Sequence, residues 1–159
     1  MKLCVFSDSH GAAERLIAAI EREGPALCFF LGDGEHDLAA AQARYPALPF
    51  YAVRGNCDLR SALSGELVCT VAGVTFFVTH GHLYDVKYES SQERLTAAAR
   101  AAGADVALFG HTHRACCERL CGVLCLNPGA LARGAYAVLT VADGQCKALL
   151  KTLEKEDEV

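Results

Sequence analysis

Short apolar runs that each end in a small polar cluster recur along the first 113 residues of the chain. In one example, the apolar run at 106–109 ends in Gly110-His111-Thr112-His113. Two histidines one residue apart point to opposite faces of an extended strand, whereas a turn just beyond the strand lets both imidazoles converge. A buried strand followed by such a turn fixes where polar side chains gather, so this pattern constrains the fold strongly.

Four other clusters of the same kind follow apolar runs. They are Asp8-Ser9-His10, Gly32-Asp33-Gly34, Gly55-Asn56-Cys57-Asp58 and His80-Gly81-His82. A single aspartate or asparagine at such a place is most often a helix cap or a turn residue. Caps do not explain five clusters that share donor chemistry and contain five of the six histidines. We therefore interpret the five loops as one site that binds two metal ions.

The first third of the chain alternates apolar runs with helical patterns. The runs at 2–6, 26–31 and 49–53 are predicted strands, and the segments 12–23 and 37–44 are predicted helices. This alternation predicts a parallel, buried sheet, whose ligands gather at the carboxyl ends of the strands.

Tight turns interrupt the second half of the chain and indicate antiparallel hairpins. The turn pairs are Ala72-Gly73, Cys121-Gly122 and Asp143-Gly144. The predicted strands are 67–71, 74–79, 106–109, 114–120, 123–126, 135–141 and 146–153. Ser90 and Glu93 form a capping-box pattern, which predicts a helix that runs to about Gly103.

Length and charge define the class of protein. With 159 residues, 52% of them hydrophobic, we expect a single domain over 1–159 with a frayed, charged tail at 154–159. The net charge of −4 does not indicate a basic surface for nucleic acids or attraction to an anionic membrane. The chain has no signal-peptide pattern and no membrane-spanning run, so we expect a cytoplasmic protein. Homo-oligomer formation is left open.

The chain contains nine cysteines, most of them inside apolar runs. An odd number without a secretion signal favours reduced thiols over disulfides. A structural zinc site at Cys116, Cys117, Cys121 and Cys125 is an alternative, but these residues contain no C-x-x-C pair.

The donor set of the five loops consists of aspartate, asparagine and histidine. Such oxygen and nitrogen ligands suit divalent transition metals, with Mn²⁺ as our first choice and Zn, Fe, Ni or Co as alternatives. A carboxylate can bridge two cations roughly 3.5–4 Å apart, which together activate a water. Asp33 comes from the middle of the set and is the natural bridge.

The motif order D-x-H, G-D, G-N-C-D, H-G-H, G-H-T-H resembles that of the calcineurin-like metallophosphoesterase superfamily. The G-N-C-D form and the short length are similar to its small bacterial and archaeal phosphodiesterase branch, and the retromer subunit Vps29 shares that fold. The resemblance implies an α/β fold, a four-layer α/β/β/α sandwich of two mixed sheets. It also implies a phosphoesterase, most naturally a phosphodiesterase, that uses a metal-bridging hydroxide as nucleophile.

The resemblance also implies roles for individual residues. The first metal would be held by Asp8, His10, Asp33 and His113, and the second by Asp33, Asn56, His80 and His111. Asn56 could in addition turn its amide toward an oxyanion. Many members carry a histidine where this chain has Cys57, which leaves the proton donor open among His82, Asp58 and solvent. Without a strong acid, we expect aryl phosphodiesters to be cleaved more readily than alkyl ones.

A protein-binding scaffold of the Vps29 kind, with vestigial activity, is the competing hypothesis. A scaffold has no reason to keep all seven donors, which this chain does. Only 23 residues separate Asn56 from His80, and a hairpin accounts for most of them. We therefore expect no cap domain and an open, shallow site for a small phosphate-ester substrate.

Overall fold

The computed structural model of the chain describes residues 1–89 and 91–153. Within these ranges the chain forms ten strands and three α-helices. In chain order they are β1 (Lys2–Phe6), α1 (Ala13–Glu23), β2 (Leu27–Phe30), α2 (Glu35–Arg44), β3 (Phe50–Ala52), β4 (Glu66–Val71), β5 (Val74–Thr79), α3 (Glu93–Ala101), β6 (Val106–Leu108), β7 (Cys116–Leu120), β8 (Val123–Asn127), β9 (Ala135–Ala142) and β10 (Gln145–Thr152). Two 3₁₀ turns occupy His82–Tyr84 and Leu131–Arg133.

The strands form two mixed, five-stranded sheets. The first sheet has the order β10-β9-β1-β2-β3, in which β1, β2 and β3 are parallel and β9 and β10 are antiparallel to their neighbours. The second has the order β4-β5-β6-β8-β7, in which β5, β6 and β8 are parallel. The central parallel strands of each sheet are flanked by the hairpins that the glycine turns predicted.

Alternate residues of the strands pack into separate apolar layers. In β1, Val5 faces the second sheet, whereas Cys4 packs with Leu16 of α1 and Leu38 of α2. Leu95 of α3 packs on the outer face of the second sheet. The layer order is therefore α/β/β/α, which confirms the expected sandwich.

The three predicted hairpin turns are present, each with two residues in the left-handed backbone region. The φ angles are 47° and 81° at Ala72-Gly73, 49° and 87° at Cys121-Gly122, and 51° and 72° at Asp143-Gly144. Two consecutive positive φ angles are typical of the type I′ turn, whose twist matches that of a hairpin.

Several element boundaries differ from the predicted ones by one to three residues. The helix α2 begins at Glu35 rather than Asp37, and β7 begins at Cys116 rather than Arg114. The predicted cap residue Ser90 and the predicted tail at 154–159 lie outside the described residues. Among the helices that the structure describes, none combines the length and apolarity that a membrane span requires.

Candidate metal centre

The loops that follow β1, β2, β3, β5 and β6 meet at one edge of the sandwich. Two groups of three side chains each bring their ligand atoms within 4.8 Å of one another. The first group consists of Asp8, His10 and His113, and the second of Asp33, His80 and His111. The resemblance assigns these residues to two metals, and that assignment stays a prediction. Asn56 adjoins the second group, with its Oδ1 atom 3.1 Å from Nε2 of His80.

Asp8 is the centre of the first group and is fully buried. Its Oδ2 atom accepts hydrogen bonds from the Ser7 hydroxyl and the His111 backbone N–H. Its Oδ1 atom has no hydrogen-bond partner among the described residues. The Nε2 atom of His113 lies 3.0 Å from Oδ1, but at an angle that makes no hydrogen bond. A buried, unpaired carboxylate oxygen is destabilising, so the group fits a bound cation.

Asp33 lies between the two groups. Its Oδ2 atom is 3.3 Å from Nε2 of His80 and 3.8 Å from Nε2 of His10, and its Oδ1 atom accepts the Cys57 backbone N–H at 2.8 Å. Burial alone would raise the pKa of this carboxyl, but the His80 ring and the Cys57 donors outweigh burial and hold the pKa well below its usual range. Asp33 therefore lies close to imidazoles of both groups and favours its charged form.

His80 is held in a defined orientation by the main chain. Its Nδ1 atom lies 2.7 Å from the Leu31 carbonyl oxygen, which can only accept a hydrogen bond. Nδ1 therefore carries a proton, and Nε2 faces the donor set, as is usual for metal-binding histidines. Burial lowers the pKa of His80, but Asp33 and Asp8 outweigh burial and raise it. The site thus has a negative potential that favours cations.

The backbone of the site is strained. Five of the seven predicted ligands have positive φ angles, which non-glycine residues rarely adopt: 53° at Asp8, 44° at His10, 59° at Asp33, 67° at His111 and 59° at His113. These turns bring side chains from successive residues of a strand end toward the same edge. Strain of this kind concentrates at functional sites, where the surrounding structure maintains it.

Two glycines allow the loops to approach one another closely. A Cβ atom on Gly55 would lie 2.0 Å from Oδ1 of Asp33, and one on Gly110 would lie 2.0 Å from the Ser7 hydroxyl and 2.8 Å from Oδ2 of Asp8. Any side chain at these positions would displace a carboxylate of the site.

Asp58 is one of the three candidate proton donors. Its carboxylate is occupied by main-chain hydrogen bonds instead of facing the site. Its two carboxylate oxygens accept the backbone N–H groups of Asp33, Gly34, Glu35 and Gly55 at 2.8–3.1 Å. Four donors occupy the acceptor positions of a carboxylate. Asp58 therefore joins the loops after β2 and β3 and positions Asp33.

Two further positioning residues have no clear signal in the sequence. Buried Asp37 accepts hydrogen bonds from the Ser9 hydroxyl and the Gly11 N–H, which fixes the loop after β1. Buried Asn127 donates through Nδ2 to the Gly110 carbonyl and the Thr112 hydroxyl, both at 3.0 Å, which fixes the loop after β6. The sequence marks Asn127-Pro128-Gly129 as a turn, but it does not indicate that Asn127 contacts the loop after β6.

His82 lies beside the second group. Its ring centroid is 5.5 Å from that of His80 and 6.1 Å from that of His111. Its Nδ1 atom is buried and has no hydrogen-bond partner among the described residues. Burial and then the charge of His80 lower the pKa of His82. His82 therefore faces the site as an imidazole that favours the neutral form.

Cys57 follows Asn56 and is exposed at the edge of the site. Together with His10 and Asp33 it forms a third group of close ligand atoms. Burial and then the neighbouring Asp33 raise the pKa of its thiol. The neutral thiol is therefore its favoured form.

The cysteines of the β7–β8 hairpin do not form a metal site. All nine cysteines are free thiols, and none of Cys116, Cys117, Cys121 and Cys125 belongs to a metal-binding group of the described residues. Cys121 occupies the turn, whereas Cys116 and Cys125 pack toward α3. The structure gives no support to the zinc alternative.

Comparison with known proteins supports the chemistry of this edge. The family model of the calcineurin-like phosphoesterase superfamily domain matches residues 1–147. The chain belongs to this superfamily. The curated "Probable metallophosphoesterase YsnB" of Bacillus subtilis (strain 168) is 37% identical over 149 residues, which are 89% of this chain and 85% of that protein.

Solved structures with the same fold include a conserved uncharacterized protein of Streptococcus pneumoniae TIGR4, described as a predicted phosphoesterase. It is 26% identical, covers 95% of this chain and 88% of its own, and has a TM-score of 0.80. Vps29 of Chaetomium thermophilum has a TM-score of 0.80 at 16% identity, over 98% of this chain and 92% of its own. A novel archaeal phosphodiesterase has a TM-score of 0.72 at 21% identity, over 95% and 100%.

These relationships confirm the family and the Vps29-like fold that the motifs predicted. The chain is a metal-dependent phosphoesterase, and its family implies divalent metal ions. The donor set of carboxylates and imidazoles suits such ions, and the unpaired Oδ1 atom of Asp8 is an acceptor that one of them would satisfy.

Proposed function

We propose that the chain is a two-metal phosphodiesterase that hydrolyses a small phosphate ester. The observation that supports this proposal best is the position of Asp33, whose Oδ2 atom lies between the Nε2 atoms of His10 and His80. A carboxylate shared by two donor groups is the arrangement that two-metal hydrolytic sites use.

The seven donors divide between two ions. Asp8, His10, Asp33 and His113 would hold one, and Asp33, Asn56, His80 and His111 the other. When bound, such ions lower the pKa of a shared water and neutralise the charge that develops on phosphate oxygens. Mn²⁺ is the metal that we propose first, with Zn, Fe, Ni and Co as alternatives.

The chain's own residues act on the phosphate in two ways. Asn56 directs its Oδ1 atom toward His80, and its amide nitrogen donates to Cys57 Sγ at 3.5 Å. The second N–H of this exposed amide would donate to a non-bridging phosphate oxygen. His82 offers an imidazole next to His80 and His111, within reach of the phosphate or of the leaving oxygen. Asp58 acts only through the loops that it positions.

Proton donation to the leaving group is weak in this arrangement. Asp58 is engaged by four backbone donors, and the position after Asn56 carries a cysteine with a raised pKa. Burial and the charge of His80 lower the pKa of His82, so this imidazole favours the neutral form, which is a poor proton donor. Leaving groups that need little protonation should therefore react best. We propose aryl diesters as the preferred model substrates.

The test is hydrolysis of bis-p-nitrophenyl phosphate and p-nitrophenyl phosphate by chelator-treated protein, before and after addition of Mn²⁺. We expect metal-restored cleavage with a preference for the diester. Asp33→Asn should abolish it, whereas Asp143→Asn, the same change at the exposed β9–β10 turn, should not. Cleavage that persists in Asp33→Asn, or that is the same with and without Mn²⁺, would contradict the proposal.

A Vps29-like scaffold remains the second candidate. The shared fold favours it, but a scaffold does not require a buried, unpaired Asp8 oxygen surrounded by imidazoles. We also propose a single domain without a cap. The nine free thiols support a reducing, cytoplasmic location.

A further inference from the structure

A cleft of about 740 Å³ opens on the outer face of the second sheet, beside the metal centre. One wall consists of residues 86–89 and Gln92, and the other is the start of β7 with the loop before it. Its volume is in the range of small-molecule sites. The seven proposed ligands do not line it, so the proposed reaction leaves the cleft without a role.

The cleft adjoins the loop that carries two of the proposed ligands. Thr112, which lines it, lies between His111 and His113 in the chain and accepts hydrogen bonds from Asn127 and from the backbone N–H of Arg114. The cleft and the proposed metal centre therefore share the loop after β6.

Two cationic side chains line the cleft near the metal centre. Neither Lys87 nor Arg114 forms an ion pair among the residues that the structure describes. Arg114 directly follows the proposed ligand His113 in the chain, which places it at the end of the cleft beside the metal centre. Unpaired cations that converge on one cavity favour an anionic ligand.

The two acidic residues of the cleft do not cancel this charge. Glu89 is paired with Arg94, whose Nε atom lies 2.9 Å from Glu89 Oε1. Glu118 lies four residues beyond Arg114 in the sequence, roughly 13 Å along an extended strand. Among the described residues the lining of the cleft therefore has two unpaired cations, Lys87 and Arg114, and one unpaired carboxylate, Glu118.

Gln92 adds an unused acceptor to the cleft. Its amide nitrogen donates to the carbonyl oxygens of Val86 and Glu89 at 3.4 and 3.3 Å, which fixes the orientation of the amide. Its Oε1 atom is buried and has no hydrogen-bond partner among the described residues. The exposed ring of Tyr88 also borders the cleft.

We propose that this cleft binds one ester arm of the substrate and that the arm carries a second anionic group, held by Lys87 and Arg114. Phosphate is the chemistry that best fits an arginine beside a lysine. Tyr88 would contact the remainder of the arm as an apolar surface. This inference rests on the proposed function and extends it to a substrate class, diesters with a second phosphate.

The test compares the affinities of Mn²⁺-loaded protein for thymidine 3′,5′-bisphosphate and thymidine 5′-monophosphate by calorimetry. The two ligands differ in one phosphate, so the ratio of their Kd values reports on the second anionic site. We expect the bisphosphate to bind at least about tenfold more tightly. The Lys87→Gln/Arg114→Gln variant should reduce the ratio to near one. The Arg119→Gln/Lys147→Gln variant, with the same charge change at the opposite edge, should keep it.

Equal Kd values for the two ligands would overturn the inference, as would a preference that persists in Lys87→Gln/Arg114→Gln. Loss of the preference in both double variants would also overturn it, because the effect would then follow net charge. Hydrolysis of bis-p-nitrophenyl phosphate is measured in parallel. Its absence would count against the proposed function, whereas the Kd ratio tests the cleft independently of turnover.

Discussion

Asp8 and Glu23 are both buried carboxylates, and their surroundings differ in every respect. Glu23 ends the regular helix α1 and accepts hydrogen bonds from the Tyr136 hydroxyl at 2.8 Å and from the ammonium groups of Lys151 and Lys2. Asp8 has a φ of 53°, and its Oδ1 atom accepts no hydrogen bond among the described residues. The protein's own side chains therefore satisfy the Glu23 carboxylate, whereas Oδ1 of Asp8 lacks a hydrogen-bond donor among the described residues.

This difference in hydrogen bonding distinguishes a buried carboxylate that stabilises the fold from one that serves a functional site. Burial raises the pKa of Glu23, but hydrogen bonds from Lys151, Tyr136 and Lys2 outweigh burial and lower it, so this cluster stabilises the folded chain. At Asp8, by contrast, we expect the buried Oδ1 atom to lower the free energy of unfolding, because it has no hydrogen-bond partner among the described residues. A bound cation would reverse this cost. The following predictions test this contrast, from the largest expected effect to the smallest.

Asp8→Asn should reduce Mn²⁺-dependent hydrolysis by roughly 10³-fold, because it removes a charged donor from the centre of the first group. The unfolding free energy of chelator-treated protein should not fall, because the change removes a buried charge whose Oδ1 atom has no donor. Steady-state kinetics and urea unfolding measure the two quantities. A large loss of stability in Asp8→Asn would show that the cluster is structural.

Glu23→Gln should have the opposite effects: a lower stability and an unchanged activity. Removing one charge from a buried, hydrogen-bonded cluster should lower the unfolding free energy by about 3 kcal/mol. The rate of hydrolysis per folded molecule should be unchanged. Glu21→Gln is the matched control, because Glu21 is on the same helix and pairs with Arg44 at the surface. Equal stability of the two variants would contradict the role of Glu23.

Asp58→Asn should weaken Mn²⁺ binding about 10–100-fold, because Asp58 orients the loop that carries Asp33. The effect should appear in calorimetric Kd values and should be accompanied by only part of the kcat loss of Asp8→Asn. If metal affinity were normal and the pH dependence of kcat lost its acidic proton donor, Asp58 would be the general acid after all.

The stabilising effect of Glu23 should depend on pH. Because its pKa is lower in the folded chain than the ordinary value of 4.5, its contribution is complete above that value and is lost as the pH falls through the folded pKa. The difference in unfolding free energy between wild type and Glu23→Gln should therefore be largest near pH 7 and shrink below about pH 4.5. A difference that grows on acidification would contradict the account.

Cys116→Ser and Cys121→Ser should leave the metal-dependent rate per folded molecule within about twofold, because neither thiol belongs to a group of candidate ligands among the described residues. Hydrolysis assays with added Mn²⁺ measure this. Loss of activity in folded Cys116→Ser protein would revive the zinc alternative.

The features that the sequence predicted are local ones. Turn pairs such as Ala72-Gly73 specify a hairpin through their own backbone preferences, and an apolar run followed by a polar cluster marks a strand end. The resemblance then ordered the donors into two ligand sets, which stay a prediction. In the structure His113 lies beside Asp8 and His10, and His111 lies beside Asp33 and His80. Element boundaries were accurate to a few residues for the same reason.

The supporting contacts could not be predicted, because they depend on how distant segments pack. Asp58 contacts main-chain donors 23–25 residues earlier in the chain, and Asn127 reaches a loop 15–17 residues earlier. A carboxylate in a loop has the same sequence signature whether it donates a proton or accepts four hydrogen bonds. The start of α2 at Glu35 was missed because Asp58 satisfies the N–H groups of that turn.

The most direct test of the account is anomalous diffraction from crystals soaked in MnCl₂. We predict two Mn²⁺ peaks at the sheet edge, one beside Asp8, His10 and His113 and the other beside His80 and His111, with Asp33 in contact with both. A single peak, or peaks at the cysteine-rich hairpin with none at Asp8, would contradict a two-metal centre that shares Asp33.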